Sequence, residues 1–145
     1  MNGPKKLTLD RALADSMFAL YVQGRASLCL SGGDPLITCA YRGQRGTACA
    51  IGWLIPNRLY SPVLEGQQVW SKQMIGIMRE VIDDPDLEFL DALQWAHDST
   101  VEYGTPRYDT KRDFRLALRR RSADLARGFR LRDPLLNWRL PDREV

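Results

Sequence analysis

The stretch from Cys39 to Gly66, CAYRGQRGTACAIGWLIPNRLYSPVLEG, constrains this chain more than any other. It gathers Gly43, Gly46, Gly52 and Gly66 with Pro56 and Pro62, Cys39 and Cys49, Trp53, and Tyr41 and Tyr60. Glycine permits positive φ and close backbone approach, while proline fixes φ and ends regular structure, so the backbone path here is tightly specified. Two readings of Thr47 to Pro56 compete. As a strand, the segment closes a hairpin with Cys39 nearly opposite Cys49. As a helix, it begins at Thr47, runs about two turns and stops before Pro56. Ala48, Ala50 and Gly52 favour a central helix, because a glycine inside a helix costs about 1 kcal/mol and is kept where another element approaches closely.

The flanks are easier to read. Thr8 is a helix cap, followed by apolar Leu9, Leu13, Met17 and Leu20, with Gly24 as the stop. Cys29-Leu30 and Leu36 to Tyr41 surround the turn signal Ser31-Gly32-Gly33-Asp34-Pro35, which predicts two short paired strands. Downstream, Met74, Ile75, Met78, Val81 and Ile82 form a helical stripe. Asp84 then reads as a cap with Pro85 at the first helical position, opening a helix through Leu90, Leu93 and His97 that ends near Asp98-Ser99-Thr100. A long helix over Thr110 to Phe129 turns Phe114, Leu118, Ser122, Leu125 and Phe129 inward. After it, Leu136 and Trp138 are expected to fold back onto the core.

At 145 residues and 44% hydrophobic content, the expectation is one α+β domain over residues 1–145, mostly helical, with a small β-hairpin or short strands before the central helix. Residues 1–6 and 141–145 are expected to be loose termini. The chain has no run of about 18 apolar residues and no apolar leader at Met1 to Lys6, so a cytoplasmic protein with no membrane partner is expected. Three cysteines at positions 29, 39 and 49 and a single histidine match no zinc pattern. No metal or other cofactor is expected.

Charge is uneven. Arg79 to Glu102 holds eight acids against one base, whereas Arg107 to Arg132 holds ten bases against three acids. Neighbouring helices compensating one another is one reading; a basic face kept for an acidic partner is the other. On the last helix Arg112, Arg115 and Arg119, with Arg130 beyond, fall on one flank and are candidates for nucleic-acid phosphates, a flank expected to be dispensable for folding.

The pattern Cys-x-Tyr-Arg-Gly, then Gly-x-x-Cys-Ala-Ile-Gly-x-Leu-Ile-Pro, then Tyr60, Pro62 and Glu65-Gly66, resembles an uncharacterised family of small proteins of phages, prophages and other mobile bacterial elements. Leu93-Gln94-x-x-His97-Asp98 is a second matching patch, and Phe114 with Leu125-Ala126-x-Gly128 a weaker third. Position 57 is Asn where that family usually has Asp. The resemblance implies an accessory role through a host or phage macromolecule, as inhibitor or adaptor, rather than catalysis.

Three site hypotheses follow. Trp53, Tyr60 and Trp70 are candidates for protein contact, and some of the aromatic residues are available for a homo-oligomeric interface. The arginine flank is the nucleic-acid alternative. The third is thiol chemistry with Cys49 as nucleophile, its pKa lowered at a helix N-terminus, His97 as base and Asp98 orienting the ring. The competing view of these three is structural, with Cys49 a small buried hydrophobe and His97 a helix-end cap.

Overall fold

A computed structural model describes residues 5–28, 40–102 and 105–138 of the chain. Helix α1 (Leu9–Gln23) starts where Thr8 Oγ1 accepts the Arg11 N–H at 3.1 Å and stops at Gly24, whose φ is +74°. Helix α2 (Lys72–Val81) is capped by Ser71, and helix α4 (Lys111–Phe129) by Thr110. Helix α1 lies where its cap residue and apolar spacing predict it, and α2 and α4 lie where their apolar stripes predict them.

Helix α3 (Leu87–Asp98) begins two residues later than Pro85 suggests. Asp84 adopts φ +52°, which breaks any helix at that point, and the Asp86 carboxylate takes over as the cap for the Glu88 and Phe89 N–H groups. A left-handed residue followed by a capping carboxylate turns the chain instead of extending it.

Between α3 and α4 lies a short antiparallel hairpin, β1 (Val101–Glu102) and β2 (Thr105–Pro106), with Val101 opposite Pro106. The class is thus α+β and mostly helical, with a minimal β element. This hairpin follows α3; the strands expected at Cys29-Leu30 and Leu36 to Tyr41 lie outside the described residues except for Ala40 and Tyr41, which belong to no strand.

The segment favoured as a central helix is not one. Arg42 and Ala48 form an antiparallel bridge, closed by the Gly43 N–H donating to the Thr47 carbonyl at 2.9 Å. Thr47 itself is extended, and only a 3-10 turn forms at Gly52–Leu54 before Pro56 ends it. The expectation of close approach at Gly52 is met. A Cβ there would stand 1.9 Å from the Tyr41 carbonyl oxygen, so the crossing of two backbones, not a helix, demands this glycine.

Helix α1 packs on α4 and on the Gly52–Leu54 turn, and α3 packs on α4. One apolar cluster results, drawing Leu13, Met17 and Leu20 from α1, Met74 and Met78 from α2, Phe89, Leu90 and Leu93 from α3, and Phe114 and Leu118 from α4. Each such side chain contributes about 1.5–3 kcal/mol by leaving water. The return segment after α4 buries Leu135, not Leu136, which stays 65% exposed. Asp133 decides this register, accepting both the Ser122 hydroxyl at 2.7 Å and the Leu135 N–H at 3.0 Å. Among the described residues no helix is long and apolar enough to cross a membrane.

Candidate functional site

The Cys39 to Gly66 stretch and the Leu93 to Asp98 patch each form a polar joint inside the fold. In the first, the Glu65 carboxylate accepts the N–H groups of Tyr41 at 2.9 Å and Arg42 at 3.1 Å, and the Tyr60 hydroxyl at 2.6 Å. The Arg42 guanidinium lies 4.2 Å from the Tyr60 ring centre and donates to the Ile55 carbonyl at 3.0 Å. Tyr60 is therefore held within the knot by Glu65 and Arg42. Its phenol is pushed up to about 12, first by burial and then by the Glu65 carboxylate.

The second patch joins three segments. His97 is fully buried, and its Nε2 accepts the Ser27 N–H at 2.8 Å. An acceptor Nε2 carries no proton, so the ring proton sits on Nδ1, which faces Asp98 Oδ1 at 3.0 Å. Gln94 completes the joint by accepting the Ile51 N–H at 3.1 Å and donating to Asp98 at 3.1 Å. The lone pair that a thiol base requires is thus committed to a backbone amide.

Cys49 is fully buried, with the Gly52 N–H reaching its sulfur at 3.4 Å. Burial, reinforced by the Asp98 carboxylate, pushes the thiol up to about 12. With no helix starting at Thr47, the lowered pKa expected from a helix terminus is replaced by its opposite. His97 and Asp98 are thus bound into a structural joint, and the Cys49 sulfur is met by the Gly52 N–H. Among the described residues no cluster suited to a metal ion occurs.

The arginine flank of α4 divides. Arg115 is 2% exposed and caps another helix: its Nε donates to the Tyr21 carbonyl at 2.7 Å and its guanidinium to Val22 at 3.3 Å. These are carbonyls of the last turn of α1, which have no partner within that helix. Arg119 reaches the Tyr21 hydroxyl at 2.8 Å and the Leu135 carbonyl at 2.6 Å, and also the Trp138 carbonyl. Arg112 and Arg130 remain exposed. The four candidates do not form one nucleic-acid face, because two are turned inward onto backbone carbonyls.

What the surface does offer is a groove beside the C-terminal half of α1. Phe18 and Val22 on α1, Arg25 just beyond it, and Arg45, Trp53 and Trp138 line a space of about 630 Å³. Phe18 is 37%, Val22 57% and Trp53 40% exposed, so these apolar side chains face solvent together. The walls are pinned. Trp53 donates its indole N–H to Gln23 Oε1 at 3.0 Å, and the same amide pairs with both backbone groups of Ala48, at 2.9 and 3.1 Å. Trp138 stands edge-on to Phe18 with ring centres 4.9 Å apart. A second hollow shares Phe18 and Trp138 and continues the apolar surface to Leu136.

Of the aromatic residues singled out from sequence, Trp53 lies in this groove. Tyr60 is tied into the knot, and Trp70, 58% exposed, does not line the groove. Phe18, Val22 and Trp138 were not singled out as a binding set. Their signal was present: Phe18 and Val22 are an i,i+4 apolar pair off the Leu13, Met17, Leu20 stripe, and an apolar pair left over from the core stripe belongs to a surface.

Fold and groove together describe a small α+β protein with a preformed aromatic cleft. No family model, curated protein or solved structure was found to match the chain.

Proposed function

We propose that this chain is a binding protein whose contact face is the Trp53 groove, a small accessory factor that engages a host or phage protein as inhibitor or adaptor. The observation that carries this reading is the contiguity of Phe18, Val22, Trp53 and Trp138 around one open, pinned cleft. Rigid aromatic walls lose little freedom when a partner docks, which favours affinity. The accessory context comes from the mobile-element resemblance of the Cys39 to Gly66 stretch.

The test is a pull-down from bacterial lysate with tagged wild-type protein, Val22→Asp and Trp70→Ala, run with and without nuclease and at two salt concentrations. A protein captured by wild type and Trp70→Ala but lost with Val22→Asp supports the groove. Equal capture by Val22→Asp removes it. Retention that depends on nucleic acid and low salt favours the exposed cations of α4, Arg112 and Arg130 among them, as the contact.

A further inference from the structure

We infer that the groove is built for an acidic amphipathic segment of a partner protein, one that presents two apolar side chains a helical turn apart followed by a carboxylate. This rests on the groove being the contact face and names the chemistry of what fills it. Phe18 and Val22 are an i, i+4 pair on the last turns of α1, and Arg25, just past the left-handed Gly24, lines the same groove, so two apolar side chains and a basic one share it. Side chains four apart on a helix lie about 6 Å from one another, which is the spacing of matching anchors on a facing segment.

The charges in the groove are unspent. Arg25 and Arg45 are both exposed, and among the described residues no carboxylate or other acceptor bonds either guanidinium. That differs from α4, where Arg115, Arg119 and Arg121 bind carbonyls and hydroxyls of the fold. Arg45 is also held at φ +57°, between Gly43 and Gly46, in the left-handed region that non-glycine residues rarely occupy. Two guanidinium groups beside an apolar cleft, without an acceptor among the described residues, repel a basic partner and attract an acidic one, and they do so while the cleft takes up the apolar anchors.

The experiment uses three fluorescein-labelled peptides with identical Leu and Trp anchors at i, i+4 spacing and with Glu, Gln or Lys at every other position. Binding to the full chain is read by anisotropy. Expected is the order Glu, then Gln, then Lys, with the Glu peptide weakened about tenfold by Arg25→Glu plus Arg45→Glu. In that double variant the Lys peptide should bind more tightly than the Glu peptide. Val22→Asp should abolish binding of all three.

Failure of all three peptides to bind overturns the inference, as does equal binding of the Glu and Gln peptides or an unchanged order in the double variant. Sedimentation adds a further check, because the outward face of α3 exposes Leu87, Asp91 and Trp95, an apolar and acidic surface that a second copy could present. Self-association that Trp95→Ala abolishes would make the occupant a second copy and overturn the assignment to a partner. In the lysate experiment, loss of the partner with Val22→Asp but not with the arginine reversals would leave the groove reading standing and defeat this one.

Discussion

The Ser27 N–H donates to His97 Nε2 at 2.8 Å, joining two positions 70 residues apart in sequence. This bond fastens α3 to the segment that leaves α1, and it explains why the one histidine of the chain is buried. His97→Ala leaves the Ser27 amide without an acceptor and opens a hole beside it. A loss of about 2–4 kcal/mol in urea denaturation is expected. An unchanged midpoint would contradict the assignment of His97 as a joint.

The thiol of Cys49 should be unreactive while the protein is folded. With Cys29→Ser and Cys39→Ser removing the other thiols, iodoacetamide labelling at pH 8 should proceed only after urea is added. Fast labelling of the native state would restore the nucleophile reading.

The same group shapes the alkaline limb of stability. Its pKa rises from 9.0 unfolded to about 12 folded, so between these values the unfolded chain has released a proton that the native state keeps. Stability from this group is fully present below pH 9 and is lost as pH climbs towards 12. Tyr41, raised by burial first and then by Cys49, Asp98 and Glu65, acts in the same direction. Urea midpoints measured from pH 8 to 11 should fall less steeply in Cys49→Ala than in wild type; parallel slopes would refute this.

Arg115→Met should cost about 3 kcal/mol, because it keeps most of the buried stem but strips the last-turn carbonyls of α1 of their donors. Arg112→Ala, on the exposed side of the same helix, should change stability by less than about 0.5 kcal/mol. Equal effects in thermal melts would mean that Arg115 is not a cap.

Gly52→Ala should reduce stability by about 3 kcal/mol or prevent folding, since the added carbon meets the Tyr41 carbonyl, an immobile backbone group. Gly76→Ala is the control: nothing lies within 4 Å of its added carbon, and helix propensity predicts a gain of about 1 kcal/mol. A wild-type melting temperature for Gly52→Ala would show that the two backbones can separate.

Local signals were enough to place α1, α2 and α4, though not the start of α3. Thr8, Ser71 and Thr110 each cap the helix that follows, and Gly24 ends α1 at positive φ. The knot resisted because its shape depends on partners far away in sequence. Glu65 fixes Tyr41 and Arg42, and Gln23 fixes Ala48, so no window around Thr47 contains the groups that decide against a helix there. The arginine flank misled for a related reason. Angular position on α4 places Arg115 beside Arg112, but only the end of α1, 94 residues earlier, shows that one of them is a cap. The groove required knowing that Trp53 and Trp138 come to the same side of α1.

The capping of α1 by α4 also orders events during protein synthesis. Leu13, Met17 and Leu20 leave the ribosome with the Tyr21 and Val22 carbonyls, but the guanidinium that completes this helix is translated 93 and 94 codons later. Arg119 then ties the same region to Leu135. A nascent chain stopped before α4 therefore carries an α1 that Gly24 still ends but whose Tyr21 and Val22 carbonyls lack the Arg115 donors and whose apolar face lacks α4, a form that chaperones and proteases recognise as unfinished. Closure waits for α4, and messages truncated ahead of Arg115 should give products that are degraded rather than partly active.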